Sequence, residues 1–261
     1  KYNHEIIVHV NIGSDGTLEY LKKNNIKYTY TNYNAGICEG VNKASRISSK
    51  EYLLYSHDDF YFCPEWDRIM KEELELIKNE LFYLSGTMVQ NGQVKLDCGN
   101  NLNNFNELKL LKNYKNIQFY DFQGSTWAPH LIHKKTWNRV GGFSEEFFPG
   151  TGSDPDLNKK LWDIGVRIFK GLQHCKVYHF GSIVTRQKEK NFSTITETGS
   201  RGSKIFLLKW GYSIKFFKKY FLRSDQFYNG PLLEPKKNLQ YYLDLLVCKI
   251  YLFYLKFFFK S

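Results

Sequence analysis

Short β-rich runs alternate with helical stretches along most of this chain, and that alternation limits the fold more than any other feature. "EIIVHV" at 5–10 reads as a strand and "TLEYLKKN" at 17–24 as a helix, with the turn cluster "GSDG" between them. "IKYTYTN" is a second strand. "NAGICEGVNKASRIS" is glycine-punctuated and then helical, and "YLLY" at 52–55 is a short buried strand. In "EWDRIMKEELELIKNE", Ile69, Leu74 and Ile77 recur at helical spacing. "LFYLSGTMV" is a strand, residues 91–120 are Asn-rich without a period and read as a loop or insertion, and "WAPHLIHKKTW" is a strand leading into a short helix. "DPDLNKKLWDIG" is a helix ended by Gly165, and "VRIFKG" and "KVYHFG" are two further short strands. Strands interleaved with helices predict an α/β fold with a mostly parallel sheet flanked by helices. Ligands of such sheets bind beyond the carboxyl ends of the strands.

The strand at 52–55 ends in His57, Asp58 and Asp59, followed by the aromatic pair Phe60 and Tyr61. Adjacent carboxylates in such a place are costly without compensation. A hard divalent cation could hold them, they could share a proton, or they could be exposed turn residues. In "GSDPDL" at 152–157, Asp154 reads as a helix N-cap with Pro155 in the first turn, and Asp156 complements the helix dipole. His179 follows an apolar pair, the setting of a packed histidine.

These motifs, in this order, resemble family 2 glycosyltransferases with the GT-A fold, over roughly residues 5–185. The resemblance implies a D-x-D-type acidic motif in which Asp59, with Asp58 beside it, binds Mn2+ or Mg2+ bridging the diphosphate of a nucleotide sugar. It implies His179 as a further metal ligand, Asp154 as the general base of an inverting transfer, and Arg186, after Thr185, as a grip on the diphosphate. A carboxylate at a helix N-terminus is expected to stay ionised and to be a weaker base for it. Asn11, Asp15, Asn34 and Asn42 are expected on the nucleotide wall, and Trp127 and Asp156 on the acceptor side. The family writes Glu-Asp where this chain has Ser153-Asp154, and an acid where this chain has Asn11. The family's opening strand–helix unit is not seen ahead of residue 6, which predicts that the sequence is a segment of a longer protein.

Charge divides the chain at about residue 200. Of the net +11, residues 201–261 carry +9, from 12 Lys/Arg against 3 Asp/Glu. We therefore expect a GT-A core over 1–200 and a basic, aromatic, helical extension over 201–261. Around 250, Lys249, Lys256 and Lys260 share one stripe of a helix opposite Leu, Ile and Phe, a pattern for an interfacial helix on an anionic membrane. These charges interrupt any run long enough to span a bilayer. No nucleic-acid recognition motif accompanies the basic residues. Five cysteines without a C-x-x-C pair point to a reducing compartment, so a cytoplasmic protein peripheral on the inner membrane face is expected. The donor would be a UDP-, GDP- or dTDP-sugar and the acceptor a glycan or lipid-linked glycan. The alternatives are a sugar-phosphate nucleotidyltransferase, for which "GSDG" is a poor phosphate loop, and a non-catalytic relic of the fold.

Overall fold

The computed structural model describes residues 3–125, 127–181, 195–224 and 226–258, with 195–200 and 258 described by backbone alone. Two sheets carry the fold. β1 (Ile7–Asn11) and β2 (Lys27–Thr31) form a parallel pair, with α1 (Thr17–Lys23) between them and α2 (Gly36–Ile47) after them. The larger sheet contains β3 (Tyr52–Tyr55), β4 (Phe60–Phe62), β5 (Phe82–Gln90), β6 (Phe122–Gln123), β7 (His130–His133) and β8 (Ile168–His179). Its order is β3-β7-β5-β8-β4, with β6 also paired to β8.

The sheet is mixed rather than mostly parallel. β1–β2 and β5–β8 are parallel, whereas β3–β7, β5–β7, β4–β8 and β6–β8 are antiparallel. Parallel neighbours need a crossover of a dozen or more residues. β4 follows β3 after only residues 56–59, too short for one, and it pairs instead with the far strand β8. β7 arrives after the 91–120 excursion and runs back between β3 and β5.

β5 is buried on both faces, as expected of a central strand. On one face Tyr83 meets Phe169, Leu157 and Leu161, the last two on α6 (Ser153–Asp163). On the other, Leu84 and Phe82 meet Met70 of α3 (Trp66–Ile77). The two short strands expected at 166–171 and 176–181 are one strand, β8. Its register against β5 slips between Gly86 and Thr87, where Leu172 and then Lys176 are the partners. A Cβ on Gly86 would stand 2.8 Å from the Cys175 carbonyl, so this slip needs glycine. The Asn-rich stretch is folded: α4 (Glu107–Asn113) and its flanks bring Val94, Cys98, Leu110 and Tyr114 against Val89 and Tyr178.

α5 (Lys134–Val140) follows β7 directly, and α6 ends as expected at Gly165. There φ is 100° and the Gly165 and Val166 amides donate back to Trp162 and Leu161, closing the last turn. Beyond residue 200 the chain does not detach. α7 (Ile195–Trp210) and α8 (Ile214–Phe217) place Phe206 and Phe217 in the same core as Leu157 and Phe169. α9 (Leu239–Phe258) docks through Tyr241, Cys248 and Leu255 onto Leu207 and Phe216. All five cysteines are buried thiols.

Candidate active site

Strand register brings Asp59 and His179 together. His179 at the end of β8 is opposite Phe60 at the start of β4 and opposite Gln90 at the end of β5. The Asp59 carbonyl accepts from the Phe180 amide at 3.1 Å, and Asp59 Oδ2 lies 3.1 Å from His179 Nε2. The other ring nitrogen, Nδ1, is 3.1 Å from the Asn91 carbonyl. A carbonyl only accepts, so Nδ1 carries a proton. Asn91 also donates its side-chain amide to the His179 carbonyl at 2.8 Å, gripping the residue from both ends. Nε2 therefore meets the carboxylate either as the second N–H of an imidazolium or as a lone pair facing an anion, an arrangement a divalent cation resolves. His57 Nδ1 is 4.0 Å from Asp59 Oδ1, and its ring stacks on Phe60. Burial pushes the His57 pKa down, against the pull of Asp59.

Among the described residues no group of three or more His, Cys, Asp or Glu gathers as a metal cage. Magnesium bound to nucleotides does not require one. It takes one or two protein ligands and completes its shell with phosphate oxygens and water. Octahedral ligands at about 2.1 Å lie about 3 Å from their neighbours, which is the separation of Asp59 Oδ2 and His179 Nε2. The outer-shell carbonyl on Nδ1 is the usual support of a ligating histidine. The pair fits a divalent ion, and Asp58 is exposed beside it.

Asp154 is not the N-cap. Gly152 is, and α6 begins at Ser153, which puts Asp154 in the first turn. Its side chain keeps 28% of its surface, but Oδ1 is buried without a hydrogen-bond partner. The one basic group within 4.0 Å among the described residues is His130, whose Nδ1 is at that distance. Burial pushes the Asp154 pKa up to about 7. The expectation of a carboxylate weakened as a base by the helix dipole is thus reversed, because desolvation outweighs the dipole. Tyr55, at the end of β3, stands between the two acidic centres. Burial first, then the charges of Asp154, Asp58 and Asp59, push its pKa well above the ordinary value.

Asp156, expected on the acceptor side, faces the other way. It is fully buried and accepts from Ser144 Oγ at 2.6 Å and Trp210 Nε1 at 2.8 Å, with Lys209 Nζ at 3.0 Å. It is an anchor for α7. Asn42 is also structural: it is buried, donates to the Phe143 carbonyl at 2.9 Å and accepts from the Phe143 amide at 2.9 Å. Asn11, Asp15 and Asn34 are exposed where β1, the following turn and β2 end. Asn11 Oδ1 accepts from the Ala35 amide, Asp15 Oδ1 from the Thr17 amide, and Asn34 Oδ1 from the Gly36 amide. Trp127 is half-buried, stacked near Phe122 with the Lys218 ammonium 5.6 Å above its ring. Thr185 and Arg186 lie outside the described residues. Sequence reasoning missed Asn91, Tyr83 and His130, because an asparagine in a polar loop and a lone histidine or tyrosine in an apolar run carry no signal of their own.

Comparisons with known proteins bear on the fold and the family. The chain is similar to the crystal structure of S. aureus TarS 1-349, at 14% identity and TM-score 0.51, over 97% of this chain and 63% of that one. It also matches the crystal structure of GalNAc-T7 with UDP, GalNAc and Mn2+, at 12% identity and TM-score 0.48, over 67% of this chain and 37% of that one. The chain thus spans less than two thirds of the solved structures it matches. No curated protein matches it. The fold is that of the GT-A glycosyltransferases. The family model described as Glycosyl transferase family 2 matches residues 1–137, more than half the chain, and the chain belongs to that family. That match includes Asp59 and ends before Asp154 and His179.

Proposed function

We propose that this chain carries the transfer site of an inverting, metal-dependent glycosyltransferase that uses a nucleotide-sugar donor and a glycan or lipid-linked acceptor. The observation that carries this reading is the contrast across Tyr55. On one side stand an acid and a histidine suited to a divalent cation, on the other a carboxylate with no lysine or arginine partner among the described residues and a pKa near neutrality. Asp154 removes the proton from the acceptor hydroxyl as its oxygen attacks the anomeric carbon. The bond from that carbon to the diphosphate breaks on the opposite face, and a nucleoside diphosphate leaves with the electron pair. Asp59 and His179 would hold Mn2+ or Mg2+, which supplies charge stabilisation for the leaving diphosphate. Asn11, Asp15 and Asn34 remain at the rim for the nucleotide, and Trp127 for the acceptor. A base with a pKa near the working pH combines ionisation with proton affinity.

The test is a panel of UDP-, GDP- and dTDP-sugars with Mn2+ or Mg2+, followed by release of nucleoside diphosphate. Turnover should require the metal, and Asp59→Asn and His179→Ala should each abolish metal-dependent turnover while leaving the melting temperature within a few degrees. Release of pyrophosphate instead would support nucleotidyl transfer, and near-normal Mn2+-dependent turnover by Asp59→Asn would remove the metal assignment.

The tail supports a membrane partner by a different route from the expected one. No helix among the described residues is long and apolar enough to cross a membrane. Lys249 and Lys256 do not form the outer face of α9; they flank it. The outward face is apolar, with Leu243, Leu246, Val247, Ile250, Phe253 and Phe257 all exposed, while the opposite seam is docked on the body. An apolar face bordered by lysines on a segment of net +9 suits an anionic bilayer surface. Leu246→Glu with Ile250→Glu should abolish sedimentation with anionic vesicles at low salt, and leave donor hydrolysis intact. Deletion of the helix is the poorer test, because it would bare Leu207 and Phe216.

A further inference from the structure

His130 opens β7 and is fully buried, in register with Tyr55 of β3 and Ser85 of β5. Three aromatic rings wall it in: Tyr83 at 4.7 Å, Tyr55 at 5.1 Å and Phe143 at 6.0 Å between centroids. Its Nδ1 faces two oxygens, the Tyr83 hydroxyl at 2.9 Å and Asp154 Oδ1 at 4.0 Å. Nε2 has no hydrogen-bond partner among the described residues. The other reach of the Tyr83 hydroxyl, to the Trp127 carbonyl, is 3.5 Å, at the limit of a hydrogen bond. With the hydroxyl as donor along the shorter contact, the ring proton sits on Nε2, away from the carboxylate; the opposite tautomer would have Nδ1 donate to the hydroxyl, which also lies beside Asn158.

We propose that Tyr83 and His130 are a positioning pair for Asp154: the tyrosine hydroxyl occupies Nδ1 and so keeps the imidazole from donating to Asp154 Oδ1, which stays open to the proton of the acceptor. This rests on the reading of Asp154 as the base. A histidine beside a carboxylate ordinarily becomes its counter-ion or its hydrogen-bond donor, and either would weaken the base. Here burial prevents the first, pushing the His130 pKa down to about 3, and Tyr83 prevents the second. Tyr83 is fully buried, and its own ionisation is suppressed by burial and by the Asp154 charge. Among the described residues, the other titratable groups facing the pair and Asp154 are Cys38 of α2 and Tyr55 of β3, with His57, Asp58 and Asp59 beyond Tyr55. Asp156, on the same helix, is turned toward Ser144 and α7. None of these is a lysine or arginine.

The experiment is the pH dependence of turnover for the wild type and variants, with melting curves and donor binding measured alongside. Tyr83→Phe keeps the ring and its packing and frees Nδ1 to carry the proton and donate to Asp154. It should move the acid limb of the profile down by about one pH unit, a tenfold change in the ionisation equilibrium, and lower the plateau rate several-fold without changing donor affinity. Adding His130→Phe removes the donor altogether and should return the limb to its wild-type position. Nitrogen NMR of the wild-type protein gives an independent reading, since the proton should reside on Nε2. An unmoved limb in Tyr83→Phe, or a proton on Nδ1, overturns the proposal. The reading of Asp154 fails separately, if Asp154→Asn keeps the wild-type rate and limb.

Discussion

Asp154 and Asp156 are two residues apart in the first turn of α6 and have opposite surroundings. Asp156 is enclosed by a hydroxyl, an indole N–H and an ammonium, all bonded to it. Asp154 has one oxygen, Oδ1, buried with no donor among the described residues. Two residues are about half a turn of helix, which sets the two acids on opposite faces, and the core decides which acid is completed and which is left wanting. An acid fully satisfied by donors fastens structure, whereas an acid starved of them binds protons strongly and can do base chemistry.

The comparison breaks most sharply on Asp154→Asn. This change should cut turnover by roughly 10²-fold or more, because the proton acceptor is lost. Donor binding should persist, as measured by calorimetry. Asp156→Asn should do the reverse. It leaves Lys209 without its buried partner, at a cost of about 2–3 kcal/mol, which urea denaturation would report, while turnover per folded molecule stays within a few-fold. If Asp156→Asn silences a well-folded enzyme, the roles of the two acids are exchanged.

The smallest effect concerns pH and stability. The Asp154 pKa stands at about 7 in the folded chain against an ordinary 3.8. Between about pH 4 and pH 7 the native state holds a proton that the unfolded chain has released, so stability from this group falls as pH rises and is flat above 7. Asp154→Asn lacks this dependence. Its melting temperature should equal that of the wild type near pH 4 and exceed it at pH 8. A constant difference across that range would mean that the carboxylate is not desolvated.

How much of this was legible in the sequence differs between the same two acids. The alternation of elements, the helix after Ser153 and its stop at Gly165 could all be read, because periodicity and turn chemistry are local. The placing of Asp59 after its strand was equally plain. The approach of His179 to Asp59 was not local: it depends on β4 and β8 pairing across more than a hundred residues, and only the family resemblance suggested it. Asp154 and Asp156 both read as helix-start acids, and nothing nearby tells that Trp210 and Lys209 will return to bond one of them. The mixed sheet escaped for the same reason, since strand direction was inferred from alternation alone. Lys249 and Lys256 share one side of α9, as expected, and Lys260 lies outside the described residues; which side of the helix would dock depended on Leu207 and Phe216.

The bond between Trp210 and Asp156 spans 54 positions of sequence, and this separation has a consequence during synthesis. A ribosome adding roughly 5–20 residues per second takes about 3–10 seconds to pass from one to the other. Throughout that interval the helix bearing the proposed base has been made while the clasp that holds it has not, and Asp156 has no partner from α7. A chain released before residue 209 would present both strands of the proposed metal pair and the proposed base, yet lack the fastening of α6. Premature termination near residue 200 should therefore yield a product that contains every proposed catalytic side chain and still lacks the clasp that holds Asp154's helix in place.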